Sequence, residues 1–320
     1  METISEFPAA HNDIIHDISY DHYGTRLVTC SSDHQIKVWD FLDNEWSIND
    51  TWRGHDSAVL KASFAHPEFG QVICSCSFDR TIKIWEEQEG EVKNSGKRWS
   101  EKVRLPAAKA TVQDVSFAPN HLGLKLACCA ADGVLRIYEA MDPSNTSNWT
   151  LTDDFEIVSG GSKESEARFC LSWCPSRFQP QMLAIGCGKE NNVKIFRVDA
   201  QNNWSAYESL GGHTGIVRDV AWAPSCGRSY QLIATACSDG HVRIFQLTPK
   251  PSSSNSNRNI FNVELVADLP DHESEVWRVE WNITGTVLVS SGDDGKLRLW
   301  KSSIVKEWNL IGVVASQKSS

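Results

Sequence analysis

Ten histidines and ten cysteines are the residues of this chain best suited to chemistry, as metal ligands, thiol nucleophiles or acid–base groups. No Cys-x-x-Cys pair occurs, and three residues separate Cys170 from Cys174, which is the wrong spacing for paired zinc ligands. Cys30, Cys74, Cys76, Cys128, Cys129, Cys187 and Cys237 all fall in short runs of small residues, where a thiol serves as compact apolar filler. Free thiols in this number fit a reducing compartment. The chain carries no GxSxG, no HExxH and no phosphate-binding loop. These residues predict no enzyme, no bound metal and no cofactor.

The histidines have a different regularity. His11, Thr29, Asp33 and Trp39 form a set: the hydroxyl lies four residues before the acid, the aromatic six after it, and the histidine well upstream. The set returns as His55, Ser75, Asp79 and Trp85, as His213, Thr235, Asp239 and Phe245, and as His272, Ser290, Asp294 and Trp300. Recurrence at fixed spacing points to a structural hydrogen-bonded network that ties one repeat together. Two further copies depart from it. One has Ala108, Cys128, Asp132 and Tyr138; the other has Glu164, Gly186, Glu190 and Phe196. Packing rather than a polar network is expected to hold those two.

The elements that carry these sets are six copies of one pattern. Their endings read DHQIKVW, DRTIKIW, DGVLRIY, ENNVKIF, DGHVRIF and DGKLRLW, closing at Trp39, Trp85, Tyr138, Phe196, Phe245 and Trp300. A small-residue segment precedes each ending (LVTCSS, VICSCS, LACCAA, LAIGCG, IATACS, LVSSGD), and a further short segment precedes that one. After each ending comes an outer segment, and five of the six carry a tryptophan near their start: Trp46, Trp99, Trp149, Trp204 and Trp308. Short β-branched segments bounded by Asp-Gly-type turns read as strands, and repeats of this period stack as blades of a WD-repeat β-propeller. The expectation is an all-β single propeller over 1–320, with six four-stranded blades at 11–54, 55–107, 108–163, 164–212, 213–271 and 272–320.

The 31 basic and 41 acidic residues leave a formal charge of −10, which argues against nucleic-acid binding. No apolar run is long enough to insert in a membrane, and the opening METISEFPAAH lacks the basic and apolar regions of a signal peptide. Lys61 and Arg278 stand at the start of inner strands, where they could bind an acidic segment or stay solvated. Residues 86–97, 142–148 and 249–259 read as mobile loops, the last of them a possible modification site.

One segment is surplus. Residues 3–10, TISEFPAA, stand where an outer strand belongs, although the six blades already have theirs. The segment is either a tail or closing strand, or the beginning of a seventh blade whose other strands a partner donates.

Several stretches are more specific than the repeat: DIIHDISYD (13–21), AHPEFGQVICSCSFDRT (65–81), SFAPNHLGLKLA with ADGVLRIYEA (116–140), and SEVWRVEWNITGTVLVSSGDDGKLRLWK (274–301). In these the chain resembles the Seh-type WD-repeat nucleoporins of the nuclear-pore Y-complex, relatives of the COPII outer-coat WD-repeat subunit. The resemblance implies an open six-bladed propeller and a large α-helical scaffold nucleoporin donating a blade in trans. It also implies other Y-complex subunits as partners, a nuclear-envelope location with a cytosolic pool, and support of mRNA export and protein transport. By position the partner contacts are Ile4, Phe7, Ile14 and Ile18, with Val276, Trp277 and Trp281 on the sixth blade. Alternatives are an adaptor in a TOR-regulating nutrient-signalling complex or a COPII-type coat subunit. A ubiquitin-ligase receptor ranks low, because Trp-Asp-Phe-Leu (39–42) stands in place of Trp-Asp-x-Arg.

Overall fold

The computed structural model describes residues 7–105, 109–143, 145–158, 168–250, 261–303 and 307–315. It is all-β, with six four-stranded antiparallel sheets that are the blades of a β-propeller. The chain divides into two compact units, Met1–Asp154 and Phe155–Ser320.

The first unit holds three blades. Blade one is β1 (Ile15–Tyr20), β2 (Arg26–Ser31), β3 (Gln35–Leu42) and β4 (Glu45–Arg53). Blade two is β5 (Val59–Phe64), β6 (Val72–Ser77), β7 (Ile82–Glu87) and β8 (Trp99–Leu105). Blade three is β9 (Val112–Phe117), β10 (Lys125–Ala130), β11 (Val134–Ala140) and β12 (Trp149–Glu156). The second unit holds blade four as β13 (Phe169–Trp173), β14 (Met182–Cys187), β15 (Asn192–Val198) and β16 (Trp204–Leu210). Blade five is β17 (Val217–Trp222), β18 (Gln231–Cys237), β19 (Val242–Pro249) and β20 (Phe261–Leu269). Blade six is β21 (Val276–Trp281), β22 (Val287–Gly292), β23 (Lys296–Ser302) and β24 (Trp308–Ala315).

Within each blade the strands pair in sequence order, as short hairpin connections require. The second strands are rich in Ala, Ser, Thr, Gly and Cys because both of their faces are covered, and all six residues of β6 and of β14 are buried. The cores lie between consecutive blades of a unit. Val28, Cys30, Ile36 and Val38 of blade one pack against Val59, Ala62, Ile73 and Trp85 of blade two. Blades two and three, four and five, and five and six repeat the arrangement.

Two of the three segments read as mobile are fastened. Residues 88–98 lie over blade one: Gly96 and Arg98 donate backbone N–H groups to Asp50 (2.7 and 2.9 Å), Lys93 Nζ meets Asp40 at 2.6 Å, and Asn94 N–H reaches the Asn49 carbonyl. In the loop after β11, Thr146 donates to Glu86 of blade two at 2.8 Å. Polar loop composition conceals this, because the carboxylates that order these loops sit about fifty residues upstream. Residues 251–260 lie outside the described residues.

Candidate functional site

The repeated histidine set is assembled in full in three blades. In blade one, His11 Nδ1 meets Asp33 at 2.9 Å, His11 Nε2 meets Thr29 Oγ1 at 2.9 Å, and Trp39 Nε1 donates to that same hydroxyl at 3.2 Å. Blade two repeats it with His55–Asp79 at 2.8 Å, His55–Ser75 at 2.7 Å and Trp85–Ser75 at 2.8 Å. Blade six does so with His272–Asp294 at 3.3 Å, His272–Ser290 at 2.8 Å and Trp300–Ser290 at 2.9 Å. Burial alone would raise the Asp33 carboxyl; the Gln35 N–H, His11 and the Asn12 N–H outweigh it and hold the group low.

Blade five is incomplete. His213 reaches Thr235 at 2.9 Å, but among the described residues its buried Nδ1 has no hydrogen-bond partner, and Phe245 has no N–H to offer. Asp239 turns instead to Arg243, 2.9 Å away, and to Thr214 N–H. Burial, followed by the charge of Arg243, pulls His213 down to about 4.

Blades three and four differ from the expectation of packing alone. Arg136 makes two hydrogen bonds to Asp132 (2.8 and 3.3 Å), and Lys194 binds Glu190 at 2.9 Å. Every repeat has a cation two residues before its closing aromatic: Lys37, Lys83, Arg136, Lys194, Arg243 and Arg298. It lies four residues after the turn acid in all six and pairs with it in four, which replaces the missing histidine in blades three and four. That spacing is readable in the sequence. Gly186 takes the hydroxyl position in blade four because a Cβ there would come within 2.4 Å of Cys170 Sγ. Ala108 and Glu164 lie outside the described residues.

Lys61 and Arg278 are not free to take an acidic segment. Lys61 pairs with Asp114 of the neighbouring inner strand at 2.6 Å, and Arg278 lies 3.9 Å from Asp219, so both bridge consecutive blades. None of the ten cysteines is in a disulfide, and nine are buried, with Cys226 exposed. Burial pushes the Cys74 thiol up to about 12. Among the described residues, no group of three or more His, Cys, Asp or Glu is placed to hold a metal.

The partner-contact residues divide. The inner strands pair with the second strands in one register: Ile18 faces Thr29 as Ala62 faces Ser75, Val115 faces Cys128, Val220 faces Thr235 and Val279 faces Ser290. Those four counterparts are at most 4% exposed, because the preceding blade covers them, whereas Ile18 is 52% exposed. Ile14, Tyr20 and Tyr23 are exposed beside it. Phe7 covers the outer part of the same face, its ring 5.0 Å from Trp39 and 5.8 Å from Trp46. Residues 7–10 form no strand, and Ile4 lies outside the described residues.

On the sixth blade the expectation needs correction. Val276 and Trp281 are buried against Ala234 and Val242 of blade five, so they belong to the core of their unit, and only Trp277 of the three is exposed. The uncovered face of that blade runs through β23. Leu297 is 43% exposed, whereas Ile36, Ile82, Leu135, Val193 and Val242 at the same place in the other blades are fully buried. In strict alternation Val276 and Trp281, five residues apart, would lie on opposite faces; the bulge between Val276 and Arg278 puts both on the covered one.

The WD domain, G-beta repeat model matches residues 2–40, 46–86 and 263–301. The Anaphase-promoting complex subunit 4 WD40 domain model matches residues 171–257. Nucleoporin SEH1 of Saccharomyces cerevisiae is 40% identical, covering 98% of this chain and 99% of its own length. Nucleoporin seh1 of Schizosaccharomyces pombe is 42% identical over 96% of this chain and 95% of its own. Human Nucleoporin SEH1 is also 42% identical, over 97% of this chain and 88% of its own.

Proposed function

The chain belongs to the SEH1 family of nucleoporins, and from that membership we propose that it is a non-enzymatic scaffold subunit of the nuclear-pore Y-complex. Its partner is a large α-helical scaffold nucleoporin that donates strands in trans, and through pore assembly it supports mRNA export and protein transport. The observation that carries this reading is the exposed apolar face of β1 around Ile18, where the corresponding strand of other blades is covered by a preceding blade. An added strand set supplies that cover by β-augmentation and sheet packing. Phe7 on Trp39 and Trp46 leaves the inner part of the face open to it. The Leu297 face of blade six suits the same kind of partner.

Co-expression with a family scaffold partner tests the reading. Ile18→Glu should abolish co-purification and leave the isolated chain as stable as the parent, because the side chain already faces solvent. A complex that survives both Ile18→Glu and Leu297→Glu overturns it.

A further inference from the structure

Blade one uses its repeated cation differently from the other blades. Arg136, Lys194, Arg243 and Arg298 pair with the turn acid of their own blade, and Lys83 pairs with Glu101 of its outer strand at 2.8 Å. Lys37 turns elsewhere: its Nζ donates to the carbonyl of Ala10 and, at 3.5 Å, to that of Ala9. Lys37 is buried, and a buried ammonium is tolerated only with acceptors at hand. The segment before blade one supplies them.

Those carbonyls belong to a strained but fastened stretch. Ala10 takes φ 50°, a left-handed backbone that alanine rarely adopts. On its far side, His11 Nδ1 meets Asp33 at 2.9 Å and the Asn12 N–H donates to the same carboxylate at 3.0 Å. On its near side, Phe7 lies 5.0 Å from Trp39, edge-on, and stacks on Trp46 at 5.8 Å. Two other blades show the same trio of rings. Trp52 of β4 lies 5.5 Å from Trp85 and stacks on Trp99 at 5.9 Å. Phe155 of β12 lies 4.9 Å from Phe196 and stacks on Trp204 at 5.7 Å. In both, the ring that covers the closing aromatic and the outer tryptophan comes from the outer strand of the preceding blade. Phe7 fills that place for blade one, which no blade precedes in the chain.

We propose that Lys37 is a positioning residue for blade completion. By holding the Ala9 and Ala10 carbonyls, it keeps the strained backbone at Ala10 in place and Phe7 seated on Trp39 and Trp46. Phe7 then stands as a preformed outer border beside the open apolar face at Ile18, and donated strands pack against a border that is already ordered. A loose segment would have to be ordered in every binding event, which lowers affinity. This role presupposes that a partner supplies strands to blade one, as proposed above.

Lys37→Met keeps the apolar stem of the side chain and removes its donor. In the isolated chain, amide hydrogen exchange within residues 9–12 should speed up at least about tenfold in that variant. Lys37→Arg should restore the parent rate, since arginine occupies this place in blades three, five and six. Against the scaffold nucleoporin that co-purifies with the parent chain, Lys37→Met and Phe7→Ala should each bind about fivefold more weakly, and Lys37→Arg as the parent does. Lys83→Met removes the matching cation from blade two and should leave that affinity unchanged, which tells positioning apart from a general loss of stability. If Lys37→Met fails to fold, Phe7→Ala serves for both measurements. Unchanged exchange at residues 9–12, or an equal loss of affinity in Lys37→Met and Lys83→Met, overturns the role of Lys37. A complex lost with Ile18→Glu but kept at parent affinity by Lys37→Met and Phe7→Ala overturns this role alone. One that survives Ile18→Glu and Leu297→Glu overturns the completion reading and this role with it.

Discussion

Ser75 accepts from Trp85 Nε1 and is hydrogen-bonded to His55 Nε2, with all three side chains buried. Ser75→Ala strands two buried polar groups and should lower unfolding stability by about 2–4 kcal/mol in urea denaturation. Thr235 holds the same place in blade five but, among the described residues, its hydroxyl meets only His213. Thr235→Val should therefore cost about 1 kcal/mol, so the difference between the two variants measures the tryptophan link. His213 also predicts a pH dependence. Its pKa falls from 6.5 to about 4 on folding, so between these values the unfolded chain binds more protons. Its contribution is present above pH 6.5 and is lost as pH falls towards about 4, on the order of 1–3 kcal/mol in all. Thermal unfolding of His213→Gln should show a shallower slope over that range than the parent chain.

At the scale of the element, the segment between β7 and β8 acts as a clasp on blade one. Asp50 is fully buried and accepts two backbone N–H groups from that segment, so Asp50→Ala leaves both donors unmet. The expected result is faster amide exchange and proteolysis within 88–98, at a stability cost of about 2–3 kcal/mol. Lys93→Ala removes a half-exposed ion pair and should cost about 1 kcal/mol or less. The blades themselves are legible in the sequence, since the acidic turn residue, the apolar–cation–apolar run and the closing aromatic are local signals that recur six times. The clasp was not, because composition describes a loop and says nothing of a carboxylate waiting fifty residues upstream. The burial of Val276 and Trp281 is hidden for a related reason: the bulge between Val276 and Arg278 and the packing of blade five, neither of them a local signal, put both residues in the core. The pairs Asp132–Arg136 and Glu190–Lys194 were legible at a fixed spacing of four but are easily passed over beside the more familiar histidine pattern.

At the scale of the whole molecule, apolar side chains stay exposed on the first blade and on the last, at Ile18 and Tyr20 and at Leu297. Uncovered faces of this kind promote self-association. Sedimentation velocity of the isolated chain should show concentration-dependent association that Ile18→Glu reduces and a strand-donating partner suppresses. A single monodisperse species at all concentrations, unaltered by the variant, would count against both faces as sticky surfaces. The distribution of thiols gives the molecule a built-in reporter. Nine cysteines are buried in blades of both units and Cys226 is exposed, so a maleimide dye should modify one site on the native chain. Each additional dye gained under mild denaturant then records the opening of one of blades one to five, and mass spectrometry of the labelled peptides can read out the order in which those five come apart.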